Sequence, residues 1–237
     1  MASQVGRNSQ VRVPLSIERV LEAAVRLADE GGLESLSMRK LARELDVEVM
    51  SLYYYVAKKD DILNGILELV VKEIEVASES ADWKTALRCT AISAHEVLER
   101  HPWACGLMMS PARVRAGRMR FMNAMLGSLR RAGFSADMTD RAYHALDSHI
   151  IGSTLWEVGY SAGTDAAVAG TSEVPTTAAE FAAAFLQAIP AGQFPYLIEH
   201  VEQHLALPHA GETAFQFGLD LILDGLERIR AAQDSAN

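Results

Sequence analysis

An all-α chain in two unequal domains is the architecture this sequence predicts, and three observations carry it. Apolar residues recur at three- and four-residue spacings through most of the 237 residues, the period of helices with one wet face. From Asp61 onward the chain is largely free of strand signals. Between Leu36 and Leu63 it reads LSMRKLARELDVEVMSLYYYVAKKDDIL, two short amphipathic segments joined by a tight polar break and running into a third. That pattern predicts a helix-turn-helix within residues 1–60 and a larger helical body over 61–237.

The first helix opens at Ser16, a good N-cap, with Glu18 and Glu22 near the positive end of its dipole. Ile17, Val20, Leu21, Ala24, Leu27 and Ala28 form its buried stripe, and Gly31 and Gly32 end it. Ser37 caps the second helix. Met38, Leu41, Ala42 and Leu45 point inward there, leaving Arg39, Lys40, Arg43 and Glu44 in water. Asp46 interrupts the pattern, and aspartate tolerates the left-handed conformation of a sharp turn better than most side chains. A third helix over 48–55 is anchored by Leu52 and Val56, so Val49, Met50, Ser51, Tyr53, Tyr54 and Tyr55 distribute over exposed faces. Tyrosine rings can pack on sugar while their hydroxyls donate to phosphate, and Ser51 can reach a base edge. Val49 and Met50 suit thymine methyl groups. The spacing alone also fits an all-α protein whose tyrosines merely cover a core.

Downstream, residues 59–79 are expected to form a fourth helix joining the two domains, with Ile62, Leu63, Ile66, Leu67, Val70 and Ile74 inward. A fifth over 82–100 ends at His101-Pro102, because proline disfavours helix in the residue before it. HPWACGLMMSP reads as a short linking helix or an irregular corner. Further helices are expected over 111–132, stopping at Gly133, and over 139–162, opening at a Thr/Asp cap. A small, polar loop follows at 163–176. Helices over 177–189, 194–205 and 211–231 complete the chain.

Net charge is −9, which at first argues against a nucleic-acid partner. Residues 1–60, however, hold nine Lys/Arg against nine Asp/Glu, leaving 13 against 22 in the rest, so the acidity belongs to the second domain. In the first domain the bases gather where phosphates would lie: Arg39, Lys40 and Arg43, then Lys58 and Lys59, with Arg7 and Arg12 in a leading arm that would enter a minor groove or do nothing. No apolar run approaches the length of a bilayer span and the N-terminus has no apolar signal core, so a cytoplasmic protein with no membrane partner is expected. Cys89 and Cys105 are read as free, small, buried thiols.

These segments resemble the DNA-binding domain of the TetR/AcrR family of bacterial transcriptional regulators. The resemblance rests on SIERVLEAAVRLADEGGLESLSM, RKLARELDV, the aromatic close LYYYV and the KKDDIL start of a long helix. Asp46 departs from it, since the family usually has glycine there. By matching position, the resemblance implies DNA contacts from Arg39, Ser51, Tyr53, Tyr54, Tyr55 and Lys59, with Arg39 suited to a guanine edge. FQFGLDLILDGLE resembles the terminal helix of a tetracycline-repressor-like C-terminal domain.

That last helix has two apolar faces, one of Ala214, Gly218, Leu221, Ile222, Gly225 and Ile229 and an adjoining one of Phe215, Leu219, Leu223 and Leu226. Two faces need two partners. Gly218, Leu221, Ile222, Gly225 and Ile229 are therefore expected to meet a symmetry mate, with the helix over 139–162 completing a four-helix interface; alternatively the glycines admit a neighbour in the same chain. An effector cavity is expected from Trp103, Phe121, Met122 and Met125 together with His149, Ser153 and Trp156, although such residues are also ordinary core and His149 also suits an interface. His200 and His204 have a spacing that permits a metal, yet HExxH, GxSxG and phosphate-loop motifs are missing. The expected protein is thus a homodimeric repressor without cofactor or enzymatic activity, released from a palindromic double-stranded operator by a small, largely apolar effector. A constitutive DNA-binding architectural protein and an all-α metal-dependent enzyme are the alternatives.

Overall fold

The computed structural model describes residues 14–78, 81–113, 115–166, 178–190, 192–206 and 213–234. Among them are eleven α-helices, one 3₁₀ turn and no strand. The expected arm over 1–13 lies outside the described residues, as do 167–176 of the expected loop. The chain divides into two compact units, Met1–Leu69 and Val70–Asn237, so the division falls inside the fourth helix, nine residues after the expected boundary.

In the first unit, α1 (Ile17–Ser35) is capped by Ser16, whose hydroxyl accepts the Arg19 N–H. Its regular turns stop at the two glycines: Gly31 and Gly32 leave helical angles, and Gly32 takes φ +68, a region glycine enters without a Cβ clash. The Ser35 hydroxyl donates to the Leu27 carbonyl at 2.8 Å and so ties down the last turn. Then come α2 (Met38–Glu44), α3 (Val49–Leu52) and α4 (Lys59–Glu73). Val20, Ala24, Leu27, Leu41, Leu52, Ile62 and Ile66 are almost fully buried and make the core of this unit.

In the second unit, α4 ends at Glu73 instead of 79 because its successor residues find partners elsewhere. The Glu75 N–H donates to Ser93 Oγ at 2.9 Å and the Ala77 N–H to Thr90 Oγ1 at 3.1 Å. Those hydroxyls sit on α5 (Trp83–Arg100), capped by Asp82. The corner resolves into α6 (Trp103–Met108) and a 3₁₀ turn at Pro111–Arg113, which delays α7 (Ala116–Arg131) by five residues. Gly133 at φ +92 closes α7, with the Phe134 N–H donating back to Leu129 and the Gly133 N–H to Arg130.

α8 (Ala136–Ala166) is longer than expected at both ends. Ser135, and not a Thr/Asp pair, caps it, its hydroxyl accepting the Met138 N–H. α9 (Ala178–Ala188), α10 (Pro195–Ala206) and α11 (Ala214–Asp234) follow. A reciprocal pair starts α11: Thr213 Oγ1 accepts the Gln216 N–H while Gln216 Oε1 accepts the Thr213 N–H.

The core of this unit lies where α5, α7, α8 and α11 meet, with Leu87, Leu98, Leu129, Phe134, Leu146, Phe215, Leu219 and Leu223 buried. One buried ion pair stitches α7 to α8: Arg118 reaches Asp147 at 3.0 Å and the Tyr143 hydroxyl at 3.3 Å. Of the two free cysteines, Cys105 is buried, and burial pushes its thiol up to about 11, whereas Cys89 is exposed, contrary to expectation. No helix among the described residues is long and apolar enough to cross a membrane.

Candidate functional site

The turn between α2 and α3 is built by hydrogen bonds that the backbone can make only if one residue goes left-handed. Asp46 does so, at φ 53. The Asp46 N–H then donates to the Arg43 carbonyl and the Val47 N–H to the Ala42 carbonyl, 3.2 and 3.0 Å away. These are the two bonds of a Schellman closure, which satisfies the last carbonyls of α2.

Beyond the turn, α3 is shorter than the expected 48–55. Only Val49–Leu52 are α-helical. The Tyr53 N–H bonds to Met50 and the Tyr55 N–H to Leu52, three residues back, so the segment tightens into turns. Leu52 and Val56 are buried and fix its rear, while Met50 is 71% exposed and Tyr54 89%. Tyr53 is exposed, and Val49 and Ser51 are half-buried. Tyr55 differs from expectation: its hydroxyl donates to the Leu15 carbonyl at 2.8 Å. That proton is committed within the unit and braces α3 against the entrance to α1. Arg39, Lys40 and Arg43 are exposed on α2, whose N-cap Ser37 accepts the Lys40 N–H. At the next corner, Asp61 Oδ2 accepts the N–H groups of Ala57 and Lys58, both at 3.1 Å. This holds exposed Lys58 and Lys59 at the start of α4.

In the second unit a cavity of about 300 Å³ is lined by Ser148, His149, Gly152, Ser153, Trp156 and Glu157 of α8, with Ala214 and Phe215 of α11. It gathers three of the residues expected to hold an effector: His149, Ser153 and Trp156. Trp156 is 76% exposed, so it forms a rim and not an enclosed wall. None of Trp103, Phe121, Met122 or Met125 lines this cavity. Phe121 and Met125 are buried in the core, Phe121 under the Arg118 guanidinium, and Trp103 packs edge-on against His101. His149 Nε2–H donates to the Phe215 carbonyl at 2.9 Å, and its ring lies parallel to that of Phe215.

This histidine explains one of the two glycines. A Cβ on Gly218 would stand 2.5 Å from His149 Cε1, so Gly218 makes room for a neighbour in its own chain. Around Gly225 there is open space. α11 in fact has three faces. Phe215, Leu219, Leu223 and Leu226 are buried. Asp220 takes Arg88 of α5 in a two-point ion pair, and Asp224 and Glu227 both take Lys84. The third face carries Leu221 and Ile229, both exposed, beside Gly225, with Ile222 half-buried. Phe217, 58% exposed, extends that stripe by one turn; its four-residue spacing from Leu221 was the readable signal for including it. The metal-spaced pair on α10 is not brought together by anything described: His200 is exposed, and the side chain of His204 lies outside the described residues.

A helix-turn-helix with an exposed aromatic reader, followed by an all-helical second unit, defines a class of DNA-binding regulator, and the relatives agree. The family described as bacterial regulatory proteins, tetR family, matches residues 20–66, and the tetracyclin repressor-like C-terminal domain matches residues 77–230. The chain belongs to the TetR family of transcriptional regulators. It is 31% identical to the HTH-type transcriptional repressor DrrR1 of Streptomyces coeruleorubidus, over 90% of this chain and 77% of that protein. It is 27% identical to the class G tetracycline repressor protein of Vibrio anguillarum, over 90% of this chain and 94% of that one. Among solved structures, the TetR family protein ActR of Streptomyces coelicolor in complex with actinorhodin is similar at a TM-score of 0.65 and 25% identity, covering 92% of this chain and 99% of that one.

Proposed function

We propose that this protein is a cytoplasmic, homodimeric repressor that binds a palindromic operator and leaves it when a small, largely apolar effector binds the second unit. The observation that carries the reading is the exposure of Met50 and Tyr54 on a short helix whose rear is anchored by buried Leu52 and Val56. Folding offers no reason to leave a tyrosine 89% exposed beside a methionine 71% exposed; a groove of DNA does. Arg39 reads a guanine edge, Val49 and Met50 meet thymine methyls, Ser51, Tyr53 and Tyr54 reach the backbone or a base edge, and Lys59 meets phosphate. Tyr55 serves as a brace for α3 through its bond to Leu15.

Dimerisation uses the third face of α11, with Phe217, Leu221, Gly225 and Ile229, beside the exposed Leu155 and Trp156 of α8. Two-fold pairing would set two readers on half-sites about 34–36 Å apart. The cavity between α8 and α11 is the candidate effector site. ActR's complex with actinorhodin and the tetracycline repressors are the relatives that favour ligand control. An effector acts here only by binding the released state more tightly than the DNA-bound one.

Tyr54→Ala tests the reader. Specific affinity for the DNA upstream of the protein's own gene, measured by fluorescence anisotropy, should fall roughly tenfold, about 1.4 kcal/mol, with an unchanged melting curve. Unchanged affinity would remove Tyr54 from the interface.

A further inference from the structure

Between α5 and α8, behind the wall of the cavity, His95, Glu99 and Glu157 bring an imidazole nitrogen and two carboxylate oxygens within 4.8 Å of one another. The reading of this protein as a repressor gives His95 and Glu99 no role, and Glu157 only a place in the cavity lining. His95 Nε2 stands 3.3 Å from Glu157 Oε2 and 3.9 Å from Glu99 Oε1, and the His95 side chain is 8% exposed.

The tautomer of His95 decides what this means. Its other nitrogen, Nδ1, is 3.1 Å from Thr154 Oγ1. Thr154 has one hydroxyl proton, and it goes to the Ile150 carbonyl one turn back, at 3.0 Å. With that proton spent on Ile150, the hydroxyl oxygen is able to accept, and the Nδ1–H tautomer of His95 has a partner. In that tautomer Nε2 turns a lone pair toward the two carboxyl groups. Glu157 and Glu99 are hydrogen-bonded to each other, so a proton is held between the two carboxyls beside the imidazole, where a divalent ion could replace it. Burial first and the hydrogen bond with Glu99 second push the Glu157 carboxyl up to about 7, and burial pulls His95 below its ordinary value.

We infer that His95, Glu99 and Glu157 form a binding site for a divalent transition-metal ion such as Zn²⁺. The donor set of one neutral imidazole and two carboxylates suits this class, and Thr154 supplies the hydrogen bond that metal-binding histidines characteristically make through their second nitrogen. Two ligands each about 2.1 Å from a tetrahedral ion lie about 3.4 Å apart. The Nε2 to Glu157 separation already matches, and the Glu99 pair needs to close by about half an ångström. His95 and Glu99 are one turn apart on α5 and Thr154 and Glu157 nearly so on α8, so both halves of the site are held by regular helix. Glu157 also lines the cavity, which supplies an entry path and leaves a fourth position for water or a ligand atom.

The test is calorimetric titration of the full-length, chelator-stripped protein with ZnCl₂, repeated with CoCl₂ so that visible absorption reports the coordination geometry. The expected result is one saturable ion per chain with a four- or five-coordinate cobalt spectrum. Thr154→Val should weaken uptake about 10–100-fold by freeing the tautomer, and Glu99→Gln and Glu157→Gln should weaken it at least as much. His95→Ala removes a buried ring stacked 3.8 Å from Phe215, so the two glutamine variants, on partly exposed residues, carry the test. His200→Ala should change nothing. No saturable uptake, uptake indifferent to both glutamine substitutions, or uptake lost only with His200→Ala would each overturn the assignment. The titration contains no DNA, so its failure is distinguishable from a failure of operator binding.

Discussion

Gly218→Ala separates the two roles that a glycine-notched α11 can play. In an ordinary helix interior the change would stabilise by about 1 kcal/mol, because alanine has the better helix propensity. Here the new methyl carbon would lie 2.5 Å from His149 Cε1 and 3.1 Å from Nε2. The ring is rigid and stacked on Phe215, so it cannot yield by a simple bond rotation. Overpacking of this kind costs about 1–3 kcal/mol. Displacing the ring also strains the 2.9 Å bond to the Phe215 carbonyl, worth about 0.5–1.5 kcal/mol.

Set against the propensity gain, the balance is a loss of about 0.5–3.5 kcal/mol, or roughly 1–14 °C in Tm for a chain of this size. Differential scanning calorimetry at one protein concentration measures it. In a His149→Ala background the same glycine substitution should cost little, since the clash is gone. A Gly218→Ala protein as stable as the parent, or more so, would refute the reasoning.

Gly225→Ala meets nothing within 4 Å in the isolated chain, so it should leave the fold intact and weaken self-association if a second α11 packs there; sedimentation velocity over a concentration series reads the difference. Leu221→Asp, on the same exposed face, should shift the protein to monomer in that assay and abolish operator binding without lowering helicity. Asp46→Gly should stabilise by about 0.5–1 kcal/mol in urea unfolding, since glycine takes the left-handed angle without a side-chain cost. Asp147→Ala should destabilise by about 3–5 kcal/mol, because it strands the buried Arg118 charge; an Arg118→Met/Asp147→Leu pair that recovered nothing would show that the ion pair is not the cause.

What could be read from the chain was what short stretches decide among themselves. Ser16, Ser37, Gly31, Gly32 and Gly133 announce helix ends by bonds to residues at most five positions away, and the left-handed turn at Asp46 follows from the same kind of locality. The end of α4 was not legible, because the hydroxyls that claim its following amides lie 13 and 18 residues further on, on another helix. The capping of α8 was misread by a few residues, since Ser135 competes with Thr139 and only the direction of the incoming chain from the Gly133 turn decides between them. The recognition segment was placed correctly but drawn too long: consecutive tyrosines do not show by themselves that the helix tightens after Leu52.

The candidate sites divide along the same line. Exposure of Met50 and Tyr54 follows from the anchoring spacing of Leu52 and Val56. Whether methionines and aromatics line a cavity or fill a core does not follow from spacing, since both use the same helical stripe; Phe121 and Met125 proved to be core. The three faces of α11 became distinct only when Arg88 and Lys84 of α5 were seen to claim the acids 132 to 143 positions away. Once those acids and the buried leucines have partners, the stripe of Phe217, Leu221, Gly225 and Ile229 is what remains of the helix. The glycine read as an interface notch, Gly218, belongs to His149, whose Nε2–H is spent on a backbone carbonyl. His149 is thereby fixed as part of the scaffold. Glu157, on the lining of the cavity, is the residue that joins it to His95 and Glu99.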